Sequence, residues 1–319
     1  MPTKLQLYAQ MADHTAGQIT GSYRDWTAFL ETAARLYKYP YHEQLMIFAQ
    51  RPDATACAPY DLWNSKPLNR YVRRGSRGIA LIDTDGDTPK LKYVFDVSDT
   101  GGGENSRRPF LWEYRQEHED TVTAALERRF DVSADKGFAN QLEQISNRLV
   151  TEYWRDHSYD ILDIIADSFL EEYDNYNVEV AFRNAASVST TYVLMSRCGL
   201  SPADYFVHED FLNVFDFNTP RTVAALGSAI SQSSETILRQ IEVTIKNYER
   251  EKIAERSESY ERNDLHEERG LSDSRSEPER TTEREAAGQV REDAEELPEG
   301  ASTGAVEQPT AVGEAVPPS

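Results

Sequence analysis

A chain of 319 residues has room for about two domains, and its 55 acidic against 34 basic residues give a formal net charge of -21. Two cysteines, Cys57 and Cys198, cannot build a disulfide framework or, by themselves, a metal cluster, and they imply a reducing compartment. With no run of about 18 consecutive apolar residues and no basic region leading into an apolar one at the N-terminus, neither a membrane span nor a secretory leader is expected, and the protein is placed in the cytoplasm.

In chain order, Ser22 and Asp25 form a start resembling a capping box, after which Trp26, Phe29, Leu30, Ala33 and Tyr37 recur at helical spacing up to Pro40. A second helix is predicted from Tyr41 to Gln50, with Leu45, Phe48 and Ala49 inward and Pro52 closing it. The period then changes to two. Arg77 to Asp83 and Lys90 to Val97 read as paired strands across an Asp85-Gly86 turn, with Leu91, Tyr93, Phe95 and Val97 on one face. Residues 101 to 109 read as a linker. Beyond it the pattern predicts helices over Thr121–Phe130, Gly137–Arg155, Asp160–Tyr173, Val180–Cys198 and Thr219–Arg250.

Charge is laid out unevenly. Residues 1 to 110 carry 14 basic and 12 acidic side chains, residues 111 to 250 carry 12 and 24, and residues 251 to 319 carry 8 and 19. The last block has one aromatic, Tyr260, and much Glu, Ser, Arg and Pro. Such a composition buries too little apolar surface to offset ordering entropy and predicts a disordered acidic tail.

Within this acidic chain, Lys66, Arg70, Arg73, Arg74 and Arg77 fall between Lys66 and Ile82 with no acid among them. Tyr60 and Trp63 precede them and Tyr71 lies among them, and Gly75 and Gly78 permit tight turns. Cations that track phosphates beside rings that stack on bases are what binding of single-stranded nucleic acid requires. The competing explanation is a solvated hairpin edge, and a tryptophan closing an amphipathic turn is also what a core residue looks like.

The segment from Tyr23 to Ile82, above all YVRRGSRGIAL, followed by VFDVSDT at 94 to 100, resembles the N-terminal single-stranded-DNA-binding domain of ArdC-type antirestriction proteins, in the version found in large polyvalent proteins of conjugative elements and phages. The resemblance covers residues 20 to 100, about a quarter of the chain. It implies single-stranded DNA as partner, with Arg70, Arg73, Arg74 and Arg77 on phosphates, Lys66 steering, and Trp63, Tyr71 and Tyr60 stacking. In that family a zinc metallopeptidase-like domain commonly follows. Here no H-E-x-x-H occurs, His118, His157, His208 and His266 are isolated, and the run from Val180 that is faintly similar to the helix with the later glutamate ligand carries Ala185, Ala186 and Ser187 instead. If the likeness extends this far, the second domain is a catalytically dead relic.

Two acidic patterns are set aside. Asp83, Asp85 and Asp87 begin like a calcium loop, but Thr88 stands where glycine is needed and Val94 where a bidentate glutamate is. Asp156, Asp160, Asp163, Asp167 and Glu171, three or four apart, are what any solvated helix face produces. The expectation is therefore an α+β protein. An ArdC-like domain of N-terminal helices and a small curved antiparallel sheet occupies residues 1 to 105, an α-helical domain 111 to 250, and a disordered tail 251 to 319. Its expected function is non-catalytic binding of single-stranded DNA for a mobile element's transfer or protection from restriction, with other DNA-processing proteins as further partners and no metal or cofactor. A second reading, of another class, is an acidic interaction protein that binds a restriction enzyme or similar partner by presenting DNA-like negative charge. A hydrolase would need a nucleophile, base and orienting group that the motifs do not supply.

Overall fold

The computed structural model describes residues 2–84, 86 and 88–273, with side-chain surroundings to residue 257. The chain opens on a helix that the pattern above did not mark, α1 (Lys4–Ile19), whose N-cap Thr3 and Gln6 complete a capping box. Two more follow, α2 (Tyr23–Arg35), capped by Ser22, and α3 (Tyr41–Gln50). Then come β1 (Cys57–Pro59), the single turn α4 (Tyr60–Trp63), β2 (Arg70–Val72), β3 (Ile79–Asp83), β4 (Lys90–Asp96) and β5 (Thr100–Gly102). Helices α5 (Glu119–Phe130), α6 (Phe138–Leu162), α7 (Asn175–Arg197) and α8 (Pro220–Asp273) complete the α+β architecture.

The strands form two small antiparallel sheets, one ordered β1-β4-β3 and one pairing β2 with β5. The first runs in the register Ile79↔Val94 to Asp83↔Lys90. Its buried face is the one not expected: Ile79, Leu81 and Val94 pack with Leu36, Met46 and Ile47, and Lys92 on the same face pairs with Glu43 of α3 at 2.6 Å. Leu91, Phe95 and Val97 are half-buried and Tyr93 is exposed. The outer edge of β3 is occupied by Gln50, whose side-chain amide bonds both the N–H and the C=O of Ala80, at 2.9 and 2.8 Å. At Ala80 the edge strand's free backbone groups are thereby answered.

Three further expectations are corrected. The expected linker of 101 to 109 loses its first two residues to a strand, Thr100 to Gly102, which closes on Arg70 to Val72. Asp160 to Tyr173 is not a helix: α6 ends at Leu162, Asp167 takes a left-handed φ of 65°, and Ser168 caps a short 3₁₀ turn at Phe169–Glu172. Ser168 also donates to the Ile165 carbonyl at 2.5 Å, a local bond that competes with helix continuation. The supposed carboxylate row is therefore broken, with only Asp156 and Asp160 on α6. Finally, helix α8 runs past Arg250 to Asp273, through Glu- and Arg-rich sequence of good helix propensity. The remainder of the predicted tail, 274 to 319, lies outside the described residues.

The division expected at residues 105 to 111 does not separate two cores. A single cluster joins Trp26, Phe29, Leu30 and Tyr41 to Leu142, Phe182, Leu194, Val223 and Ile241, and the residues up to Arg262 belong to one compact unit. Polar bonds cross the same boundary: Trp26 Nε1 donates to Ser189 Oγ at 3.0 Å, Tyr37 Oη to Glu242 Oε2 at 2.6 Å, and Trp112 Nε1 to Tyr37 Oη at 3.0 Å.

Candidate nucleic-acid interface

The β2–β5 ribbon and the loop from Arg73 into β3 place the basic segment. Gly75, at φ 90°, makes the turn possible, and Asp99 C=O accepts from Arg73 N at 2.9 Å, tying the turn to the end of β4. Arg70 lies along the ribbon, its Nε donating to Thr100 Oγ1 at 2.8 Å, and Arg73 Nη1 donates to the Ser98 carbonyl at 3.1 Å. Lys66, Arg73, Arg74 and Arg77 are exposed and Arg70 is half-exposed. Among the described residues none of these five cations has a carboxylate within ion-pair distance; Asp96 and Asp99, the acids of the adjoining VFDVSDT segment, are engaged elsewhere.

Asp99 is taken by Arg51 Nη1 at 2.5 Å. Asp96, at the end of β4, is 1% exposed and accepts from Thr55 N, Ala56 N, Ser98 N and Ser98 Oγ at 2.7, 2.9, 2.9 and 2.6 Å. Burial pushes its carboxyl up, but those bonds, led by Ser98, outweigh it and hold it below the ordinary value. The VFDVSDT segment thus removes its own two negative charges from the basic surface.

The aromatics divide. Trp63 is 2% exposed, and its Nε1 donates to the Phe95 carbonyl at 2.9 Å; it is a core residue supporting β4, so the stacking role expected of it is withdrawn. Tyr71 and Tyr60 are 55% and 51% exposed. Tyr71 packs its ring across Gly101, where a Cβ would come within 2.6 Å of the ring.

Four residues join the site that the sequence reading placed elsewhere. Tyr93, 44% exposed, and the half-buried Phe95 lie over Gly78, next to Arg77, each ring 3.2 Å from where a Cβ would stand. Arg107 and Arg108, read as linker, are exposed. The chain after β5 turns back through a bond from Ser106 Oγ to the Asn69 carbonyl, and Arg107 N donates to the Leu68 carbonyl at 2.9 Å. A signal for the second pair was available: GGGENSRRP has the turn residues of a return as much as those of a tether.

Elsewhere the helices offer little chemistry. Glu117, His118 and Glu249 each present one ligand atom within 4.8 Å of the others, yet His118 Nδ1 accepts from Arg115 N at 3.1 Å, which leaves its Nε2 proton for Glu249 at 3.1 Å. Lys252 answers Glu117. This is an ion-paired clasp between the start of α5 and α8. A polar cleft of about 930 Å³, bordered by Asn140, Glu143, Asn147, Asn184 and Ser187 of α6 and α7, has no histidine in its lining. Burial pushes the thiols of Cys57, beside Asp96, and Cys198 up to about 12, far from nucleophilic range at neutral pH. Asp83 pairs with Lys90 at 3.5 Å, while Asp85 and Asp87 of the rejected calcium pattern lie outside the described residues.

Compared with known proteins, the chain matches no family model, no curated protein and no solved structure. Among the described residues no helix is long and apolar enough to cross a membrane.

Proposed function

We propose that the chain is a non-catalytic binder of single-stranded DNA, acting in the cytoplasm for a mobile element's transfer or its protection from restriction, alongside other DNA-processing proteins of that element. The observation that carries this reading is the cationic surface of Lys66, Arg70, Arg73, Arg74 and Arg77, none of them ion-paired among the described residues, extended by Arg107 and Arg108 beside the exposed Glu104, with the neighbouring carboxylates of Asp96 and Asp99 bonded to the protein itself. Guanidiniums without protein acids are available to phosphates, and their contacts give salt-dependent, sequence-tolerant affinity. Tyr71, Tyr60 and Tyr93 offer ring faces beside them for stacking, which every base can use. The resemblance of YVRRGSRGIAL and VFDVSDT to the ArdC-type domain supports the biological setting.

The test is a fluorescence anisotropy titration of the full chain with single- and double-stranded oligonucleotides, repeated with Arg73, Arg74 and Arg77 replaced by alanine. Loss of those contacts weakens binding to all single strands alike and makes the slope of log affinity against log salt shallower by about 2, from roughly 0.7 per phosphate. Equal affinity for the triple variant and the native chain overturns the assignment. Failure of the native chain to bind any oligonucleotide would instead favour a protein partner that reads the chain's excess of acid.

A further inference from the structure

Helices α6 and α7 pack through Trp154 and Phe182, whose rings lie 5.3 Å apart, so the turn that joins them, residues 163 to 174, closes one end of the helical region. That end is aromatic on its outside. Tyr159 in the last turn of α6 is 86% exposed, Tyr176 in the first turn of α7 is 72% exposed, and Phe169 and Tyr173 between them are exposed as well. Bonds to the segment before α8 hold the turn in place: Phe169 N donates to Asn218 Oδ1 at 3.0 Å and Tyr173 Oη to Asp216 Oδ2 at 3.4 Å. A single exposed ring is ordinary, but four at one end mark a contact surface.

The charge around these rings says what they contact. Residues 156 to 182 hold eight acids and no Lys or Arg. Asp156 pairs with the flanking Arg155 and Glu179 with the flanking Arg183. The six between them, Asp160, Asp163, Asp167, Glu171, Glu172 and Asp174, are exposed and have no ion pair among the described residues. The break after α6 gathers them, folding Glu171 back onto the Asp167 N–H at 2.9 Å. Carboxylates repel phosphate, so these rings do not serve nucleic acid or an anionic lipid surface. Their complement is cationic: guanidiniums that pair with the acids and lie on the rings. Within this chain Arg197 makes the second kind of contact, 3.6 Å from the Trp112 ring centroid.

The matching surface is the hairpin. Lys66, Arg70, Arg73, Arg74 and Arg77 have no acid between them and no ion pair among the described residues, and Tyr71 and Tyr60 are exposed beside them. No hydrogen bond or ion pair among the described residues joins the two surfaces within one copy. They are opposite in sign, and both present the tyrosine and arginine or tyrosine and phenylalanine in which interfaces are rich.

We infer that the acidic aromatic end of α6 and α7 docks the cationic hairpin of a second copy of this chain. The contact is heterologous, one surface meeting a different one, so it leaves a free surface at either end and adds copies head to tail. One set of guanidiniums cannot serve a neighbour's carboxylates and phosphates together, so single-stranded DNA and self-association compete. That competition rests on the single-strand reading; the docking does not.

The experiment is sedimentation velocity of the full chain over a range of concentrations at about 50 mM and about 500 mM salt. The sedimentation coefficient should rise with concentration at the lower salt and fall to the monomer value at the higher, where pairs between exposed charges are screened. Two variants separate the surfaces. Asp160→Lys, Glu172→Lys and Tyr176→Ser together spoil the acidic end, and Arg73→Ala, Arg74→Ala and Arg77→Ala together spoil the hairpin. All of these positions are exposed, so circular dichroism and Tm should stay close to native. Each variant alone should associate about 10-fold more weakly or less still. Mixed in equal amounts they should form an equimolar dimer and nothing larger, because each supplies the half that the other lacks. A mixture that stays monomeric, an acidic-end variant that associates as the native chain does, or a native chain that is monomeric throughout overturns the docking. A single-stranded oligonucleotide bound by the native chain should disperse the assemblies, and assemblies that persist at saturation also overturn it. A native chain that binds no oligonucleotide yet passes the mixing test loses the single-strand reading and keeps this interface.

Discussion

Asp96 gathers the N–H groups of Thr55, Ala56 and Ser98 and the hydroxyls of Thr55 and Ser98 around one buried carboxylate, and through Thr55 and Ala56 it fastens the segment leading into β1 to the end of β4. Asp96→Ala would leave those donors without an acceptor in a buried place, a loss of about 3 kcal/mol, read as a lower urea midpoint. Its carboxyl is held below the ordinary 3.8, so its contribution is complete above that value and is lost as pH falls below it. Native chain and variant should accordingly converge in stability only at acid pH. The aromatics allow a cleaner separation. Trp63→Ala should cost about 3 to 5 kcal/mol of stability, because the ring is enclosed and its Nε1 bonded. Tyr71→Ala and Tyr93→Ala should stay within about 0.5 kcal/mol of native stability while each weakens single-strand binding by about 1 to 3 kcal/mol. Equal loss of stability and binding in the tyrosine variants would make them structural too.

Among the elements, α2 and α3 and the β3–β4 pair were legible because each carries a clean period and a cap or turn residue. The face of β4 was not. Leu91, Tyr93, Phe95 and Val97 make the more apolar alternation, but the opposite face is fixed by tertiary partners that no local period reveals: Ile79 and Leu81 across the register and Glu43 reaching Lys92 from α3. Of the candidate site, the cations were legible as a run without acids; the neutralisation of Asp99 by Arg51 and the return of Arg107 were not, since both rest on contacts between residues 37 to 48 positions apart. Helix α8 carries a further element-scale constraint at Gly227, where an added Cβ would stand 2.0 Å from the Tyr41 ring. In an open helix Gly→Ala gains about 1 kcal/mol. Here Gly227→Ala should instead destabilise by about 1 to 3 kcal/mol as the ring, packed edge-on to Phe29 at 5.8 Å, is forced aside. A stabilised variant in urea unfolding would show that α8 is not held against α3.

At the scale of the whole molecule, α2 and α3, against which the β1-β4-β3 sheet packs through a second small cluster, share one core with the helices from α5 onward, and the boundary expected at residues 105 to 111 runs across it. Trp26, Phe29, Leu30, Tyr37 and Tyr41 are each at most 5% exposed, and their partners include Ser189 and Glu242, far along the chain. At about 2 kcal/mol for each large side chain returned to water, a fragment ending at residue 110 forfeits on the order of 10 kcal/mol, as much as a domain's whole stability. That fragment should show little native circular dichroism and no cooperative melt, whereas the intact chain should unfold in a single transition reported alike by tryptophan fluorescence and far-ultraviolet signal. Glu242 offers a second probe of the same junction. Burial pushes its carboxyl up, but hydrogen bonds from Lys246, Lys38 and Tyr37 prevail and bring it from 4.5 to about 2. Its contribution, about 3 kcal/mol, is therefore present above pH 4.5 and lost as pH falls toward 2. Glu242→Gln should lower stability at neutral pH and flatten that part of the acid limb, with fluorescence and circular dichroism shifting together. Were residues 1 to 110 an independent domain, the fragment would melt cooperatively and Glu242→Gln would move only the transition belonging to the later helices.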